Sequence, residues 1–305
     1  MGMAIETQGL TKKYRSGTGC FSINLKVPVG SVFGLLGSNG AGKSTLVKTL
    51  VGLLKPTSGA GTILGQPLGN LSVRQKIGYL PENFRYQAWM TGRELLLFHA
   101  KLHQVDSEIA AKRIGELLKL VKLDGWGDRC IAYYSKGMQQ RIGLAAALIA
   151  DPQLIFLDEP TSAMDPVGRR ETRELILKLK EGGKTVFLNS HLLGEVETVC
   201  DQVAVMNSGQ LVAMGSLSQL RGIQAVVDLQ ITGLTPQILT ALAEVAIGVT
   251  QEGKRVTLHL TNRALIPQVV QLVVESGAQL YELIPRSRDL EELFLTLVQK
   301  KEMEG

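Results

Sequence analysis

The sequence predicts an α/β protein with a mainly parallel sheet, followed by a smaller α+β unit. Two observations carry the first part. Strands and helices alternate up to about residue 215, the order that builds a parallel sheet covered by helices. One strand, Leu154-Ile155-Phe156-Leu157, is apolar at every position, as a strand buried on both faces must be. The third observation is a change of texture after Gly215, where short elements follow in the order β-α-β-β-α-β-α and resemble a ferredoxin-like unit. A length of 305 residues suits two domains, expected at 1–215 and 216–305.

Each element has a local reason. Segments 4–11, 22–27 and 32–36 have strand character and supply an antiparallel edge and the first inner strand. A glycine loop then opens a helix over about 43–54. The segment from about 82 to 150 is helix-rich, a helical subdomain. There Thr91 caps a helix with Glu94 three residues on, and Leu95, Leu96, Phe98, His99 and Leu102 follow at helical spacing. Asp165-Pro166 starts a helix with a capping carboxylate and a proline, Gly182-Gly183 stops it, and 185–189 is the next strand. Beyond 215 we expect a strand over 225–231, a helix over 235–245 opened by Pro236, and a hairpin of 248–250 and 255–260 around Gly253. A helix over 264–275, a strand over 279–283 and a helix over 287–298 complete the order. Leu290, Leu293, Phe294 and Leu297 make an apolar stripe on that last helix, suited to core packing or to a dimer contact.

Composition narrows the function. Apolar residues are 45% and charged residues 20%, ordinary for a folded globular chain. The longest clean apolar run, 143–150, falls far short of the ~18 residues a membrane helix needs. Residues 1–9 contain Glu6 and no basic start before an apolar core, so no secretory leader is expected. Cys20, Cys130 and Cys200 are odd in number and far apart, which excludes a disulfide scaffold and suits a reducing compartment. The net charge of +5 is uneven: 216–305 holds 8 basic and 10 acidic residues, and the remainder holds 25 and 18. There is no block of five or six like charges, so a nucleic-acid arm is not expected. A phosphate-rich ligand or an anionic membrane face suits the basic part better.

Gly37-Ser38-Asn39-Gly40-Ala41-Gly42-Lys43-Ser44 matches the phosphate-binding P-loop, between an apolar strand and a helix. Glycines let main-chain N–H groups close around phosphates at a helix N-terminus. Lys43 would reach the β- and γ-phosphates and Ser44 would ligand Mg²⁺; the expected cofactor set is Gly37 to Ser44 with Thr45. The bland alternative is a glycine turn before an exposed lysine. Asp158-Glu159 ends the apolar strand, 115 residues after Lys43 in the case of Asp158. Asp158 would face the metal and Glu159 would orient or deprotonate an attacking water. Alone, such an ending also suits a helix cap.

A further motif, Tyr134-Ser135-Lys136-Gly137-Met138-Gln139-Gln140-Arg141, precedes the acidic strand. Here the chain resembles the ATP-binding-cassette (ABC) ATPases, whose signature is Leu-Ser-Gly-Gly-Gln before Gln-Gln-Arg. Ser135, Gly137 and the Gln-Gln-Arg tail match; Tyr134, Lys136 and Met138 depart. The resemblance implies a P-loop cassette fold that binds ATP and Mg²⁺, with Ser135 and Gly137 facing a nucleotide on an opposite subunit. It implies that Tyr14 stacks on adenine, although Tyr14 also reads as an ordinary strand tyrosine. It implies that Ser162-Ala163-Met164-Asp165 crosses a dimer interface and that His191 contacts the γ-phosphate. Glu82, in Gly78-Tyr79-Leu80-Pro81-Glu82, stands where the family usually has glutamine; a carboxylate can approach Mg²⁺ or water but cannot donate.

That glutamate, the altered signature and the extra C-terminal segment are similar to the bacterial exporter branch, the drug, sodium and copper-type efflux ATPases. The expected protein is an ATPase subunit of an exporter. Its partners would be a second cassette and membrane-spanning permease subunits, and it would lie in the cytoplasm, peripheral on the membrane. The segment 82–89, with Phe84, Tyr86 and Trp89, would meet the membrane partner or pack within the helical subdomain. Two other readings stay open: a soluble ABC ATPase acting on nucleic acid or ribosomes, and a nucleotide-binding regulator without turnover. His99 and His103, four apart, could share a metal, but no third ligand is near.

Overall fold

The computed structural model describes residues 2–221 and 225–286. The helix expected over 287–298 and its apolar stripe lie outside the described residues. The chain divides into two compact units, Met1–Gly215 and Ser216–Gly305.

In chain order the first unit holds β1 (Met3–Lys13), β2 (Gly19–Pro28), β3 (Val32–Gly37), α1 (Lys43–Leu50), β4 (Ser58–Ile63), β5 (Gln66–Pro67), α2 (Leu71–Arg74) and β6 (Ile77–Leu80). The helices α3 (Gly92–Leu102), α4 (Ser107–Leu120) and α5 (Lys136–Leu148) follow. Then come β7 (Leu154–Asp158), α6 (Pro166–Glu181), β8 (Thr185–Asn189), α7 (Leu193–Val199), β9 (Gln202–Asn207) and β10 (Gln210–Ser216). Two sheets result, an antiparallel one in the order β2-β1-β4-β5 and a six-stranded one in the order β10-β9-β3-β8-β7-β6. From β9 to β6 every pairing in the second sheet is parallel.

Register explains the core. Phe33 lies opposite Phe187, and Phe187 opposite Phe156, on three adjacent parallel strands. Their rings therefore meet in a row, with centroids 5.5 and 5.4 Å apart. All three are fully buried, under Leu46, Val47 and Leu50 of α1.

Local sequence sets most of the ends. Thr91 and Glu94 form a complete capping box at α3, and Asp165 caps α6 by accepting from the Gly168 N–H at 2.8 Å. Helix α1 ends at Leu50, four residues before the expected 54. Gly52, with φ 79°, lets the chain turn there. Leu53 N–H then bonds to Lys48 O at 2.9 Å and Gly52 N–H to Thr49 O at 3.2 Å, a left-handed cap that closes the helix. The segment 82–89 divides its aromatics. Phe84 and Tyr86 stack at 4.9 Å and Tyr86 lies against Gly143, whereas Trp89 is 74% exposed.

The second unit begins with α8 (Leu217–Arg221) and β11 (Ala225–Thr232), and α9 (Pro236–Val245), β12 (Gly248–Glu252), β13 (Arg255–Leu260), α10 (Ile266–Glu275) and β14 (Gln279–Arg286) follow. Its sheet runs β12-β13-β11-β14, every pairing antiparallel. That strand order is the ferredoxin-like one. The α-helix expected from 264 begins at Ile266 because residues 263–265 form a single 3₁₀ turn before Pro267. Alternate residues of β11 and β13 (Val227, Leu229, Ile231, Val256, Leu258, Leu260) join α9 and α10 in a separate core.

Both tryptophans of the chain, Trp89 and Trp126, lie in the first unit. Leu258→Ala is expected to destabilise the second unit by about 2–5 kcal/mol. In denaturant unfolding, a far-ultraviolet dichroism transition should move to lower concentration while tryptophan fluorescence holds its midpoint. A joint shift of both signals would show that the units unfold together.

Candidate functional site

Four parallel strands bring their carboxyl ends to one edge of the sheet, where ligands of open α/β sheets bind. There β3 delivers the glycine loop, β6 Glu82, β7 Asp158 and Glu159, and β8 Asn189 and His191. The loop closes tightly. Gly42 caps α1 with φ 97°, and a Cβ there would stand 2.4 Å from Gly19 O. A Cβ on Gly37 would stand 2.5 Å from Met206 O. Neither position accepts a side chain, and α1, which has no side-chain cap, starts with N–H groups unpaired within the helix, at residues that line the site.

Lys43 is folded onto its own loop, donating to Gly37 O at 2.8 Å and to Ser38 O at 3.2 Å. It is 7% exposed. Burial pulls its ammonium below the ordinary lysine range, and the charges of Glu159, Asp158 and Glu82 oppose that pull. The cation therefore stays close to three carboxylates that favour its charged form.

Asp158 closes β7 and is 1% exposed. Burial pushes its carboxyl above the usual range, a hydrogen bond from the Asn189 amide opposes the push, and Glu82 and Glu159 add to it. The Asn189 amide nitrogen donates to Asp158 Oδ1, which lies opposite it in register. Glu159 follows in a left-handed backbone conformation, φ 52°, uncommon for a residue with a side chain. Its N–H bonds to Asn189 O at 2.8 Å. Its carbonyl accepts from Gln140 Nε2 at 3.0 Å and from Ser162 Oγ at 3.1 Å. Its side chain reaches His191, with Oε2 2.8 Å from Nδ1. An ionised carboxylate only accepts, so Nδ1 then carries the proton.

These groups enclose a cavity of about 580 Å³, lined by residues 39–45 with Thr18, Gly19, Glu82, Glu159, Ser162, Asn189 and His191. The residues singled out in the sequence at the loop, at Glu82, at Glu159 and at His191 thus meet in one place. Gly37 and Ser38 lie beneath Lys43, and Asp158 lies behind the wall. Three others stand apart from the lining. Tyr14 is 37% exposed on the turn after β1, with Lys12 Nζ 5.9 Å from its ring. Ser135 caps α5, accepting from Met138 N at 3.2 Å. Gly137 abuts the 162–165 loop, 3.5 Å separating a Cβ built there from Ala163 O.

The oxygen donors suit a hard divalent cation. Ser44 and Asp158 offer a hydroxyl and a carboxylate, and Mg²⁺ needs only one or two such ligands besides phosphates and water. Two buried polar atoms beside Asp158, Asn189 Oδ1 and the Tyr79 hydroxyl, have no hydrogen-bond partner among the described residues. Burial raises the Tyr79 phenol further above its ordinary range, helped by the charges of Asp158 and Glu82. Sequence reasoning gave no role to Asn189, Tyr79 or Gln140. A polar residue ending an apolar strand, as in Leu188-Asn189, was the available signal.

Comparison with known proteins shows the family. A family model described as ABC transporter matches residues 20–162. An uncharacterized ABC transporter ATP-binding protein of Nostoc sp. is 47% identical over 238 residues, 74% of this chain and 70% of its own. The bacitracin transport ATP-binding protein of Bacillus licheniformis is 33% identical over 306 residues, 98% of each chain. A dimeric ATP-binding cassette solved in a post-hydrolysis state with ADP and Pi superposes with a TM-score of 0.65 at 26% identity, covering 70% of this chain and 99% of that one.

Gly42→Ala puts a side chain where φ is positive, a strain of roughly 1–2 kcal/mol before any clash with Gly19. Nucleotide affinity should fall about tenfold or more, read by titration with a fluorescent ATP analogue.

Proposed function

The chain belongs to the ABC transporter family, and from that premise we propose that it is the nucleotide-binding subunit of an exporter. It hydrolyses ATP in a dimer and drives transport through separate membrane-spanning chains. The observation that carries this reading is the Glu159 carboxylate, 8% exposed at its side chain and 2.8 Å from His191 at the rim of the phosphate loop. A carboxylate so placed can take a proton from a water aimed at a terminal phosphate.

The roles follow from position. Main-chain N–H groups of 39–45 and the Lys43 ammonium hold the β- and γ-phosphates. Ser44 and Asp158 hold Mg²⁺, with Glu82 in reach of the same space. Bound there, Mg²⁺ neutralises charge building on the phosphate oxygens. His191 orients Glu159 and contacts the γ-phosphate, and Tyr14 stacks on adenine. Ser135 and Gly137, outside their own subunit's cavity, serve the nucleotide of the opposite cassette. That the cassette solved with ADP and Pi is dimeric supports the pairing of two cassettes.

Exporter function is supported by the bacitracin transport relative, which aligns along nearly the whole chain, the second unit included. Among the described residues no helix is long and apolar enough to cross a membrane, and this reading assigns the spans to partner chains. We place the protein on the cytoplasmic face, where ATP is available. Trp89 and Tyr133, 74% and 75% exposed, follow Ala88 and Ala132, whose main chains are joined by an Ala132 N–H to Ala88 O bond at 3.0 Å, and they offer aromatic surface for the membrane partner.

Glu159→Gln should bind ATP, accumulate a closed dimer in sedimentation and lose about 10²–10⁴-fold in turnover. Hydrolysis at the wild-type rate would refute the assignment. Glu82→Gln should chiefly disturb coupling between hydrolysis and transport in the reconstituted complex. Transport at the normal rate with collapsed basal ATPase would contradict that.

A further inference from the structure

We propose that Asn189 is a positioning residue that sets the spacing of the two carboxylates, its amide holding Asp158 and its main-chain carbonyl holding Glu159. The inference rests on the proposed role of Asp158 as a metal ligand. Asn189 ends β8 directly opposite Asp158 in parallel register and is 1% exposed. Its amide is the one donor to the Asp158 side chain among the described residues, and it takes Oδ1 alone. The other oxygen of Asp158 stays free for a cation. The Asn189 carbonyl accepts the Glu159 N–H at 2.8 Å, at the residue whose backbone is left-handed. One residue thereby ties down both the metal-facing and the water-facing carboxylate, and the next residue but one is His191.

The residue type matters. A carboxylate at 189 would stand against Asp158, close to Glu82 and Glu159. An aliphatic residue would leave Asp158 without a donor in a buried site, where an unmatched polar group is unfavourable. Asn189 Oδ1 is buried without a partner among the described residues, so the amide is held for what its nitrogen does.

The test uses the full-length protein and a fluorescent ATP analogue, titrated with Mg²⁺ and, separately, in EDTA. Ligand-supporting residues of this kind typically change metal affinity 10–100-fold. In Asn189→Leu the half-saturating Mg²⁺ concentration should rise about tenfold or more, while affinity in EDTA stays within about twofold. Asn189→Ser, which keeps a donor, should fall between wild type and Asn189→Leu. The inference is overturned if Asn189→Leu keeps the wild-type Mg²⁺ dependence, or if binding in EDTA weakens as much as binding with Mg²⁺. Asp158→Asn separates the two claims. If it leaves the Mg²⁺ dependence unchanged, the metal assignment of Asp158 fails. If it raises the requirement while Asn189→Leu does not, only the role of Asn189 fails.

Discussion

Two carboxylates held out of water at the end of an apolar strand govern this site. Asp158 and Glu159 are 1% and 6% exposed, at the edge of a sheet whose inner strands are almost wholly apolar. Buried negative charge is unfavourable unless it is matched. The protein matches it locally with the Asn189 amide, with His191 and with the Lys43 ammonium, whose own burial is offset by the same carboxylates. The ensemble is poised for a further cation and for phosphates that carry one.

The glycine loop solves the complementary problem. Phosphate needs donors packed close together, and only a backbone free of side chains at Gly37 and Gly42 can pass so near Met206 and Gly19. The lysine that follows folds back on the loop, so its positive charge joins the N–H groups there, within the field of the carboxylates. The proposed hydrolysis uses both: anion-binding groups to grip the phosphates and Glu159 to face the attacking water.

Much of this was legible in the sequence because it is locally encoded. The glycine spacing, the apolar run before Asp158, the Asp165-Pro166 helix start and the Thr91-Glu94 capping box each act within a few residues, and each appears where it was expected. Helix α1 ends at Leu50, short of the expected 54, because a left-handed turn at Gly52 closes it. Tyr86 was grouped with Trp89 by composition, yet it packs on Gly143, 57 residues away in sequence.

By itself the sequence determined the chemistry available: a phosphate loop, a carboxylate pair, a histidine, and two units of different texture. The tertiary structure decided which of those groups meet and which residues hold them. The parallel register of β7 and β8 puts Asn189 beside Asp158 and beneath Glu159, across 31 residues of chain. Pairing between strands distant in sequence depends on the whole sheet closing, so the polar end of β8 marks Asn189 without naming its partner.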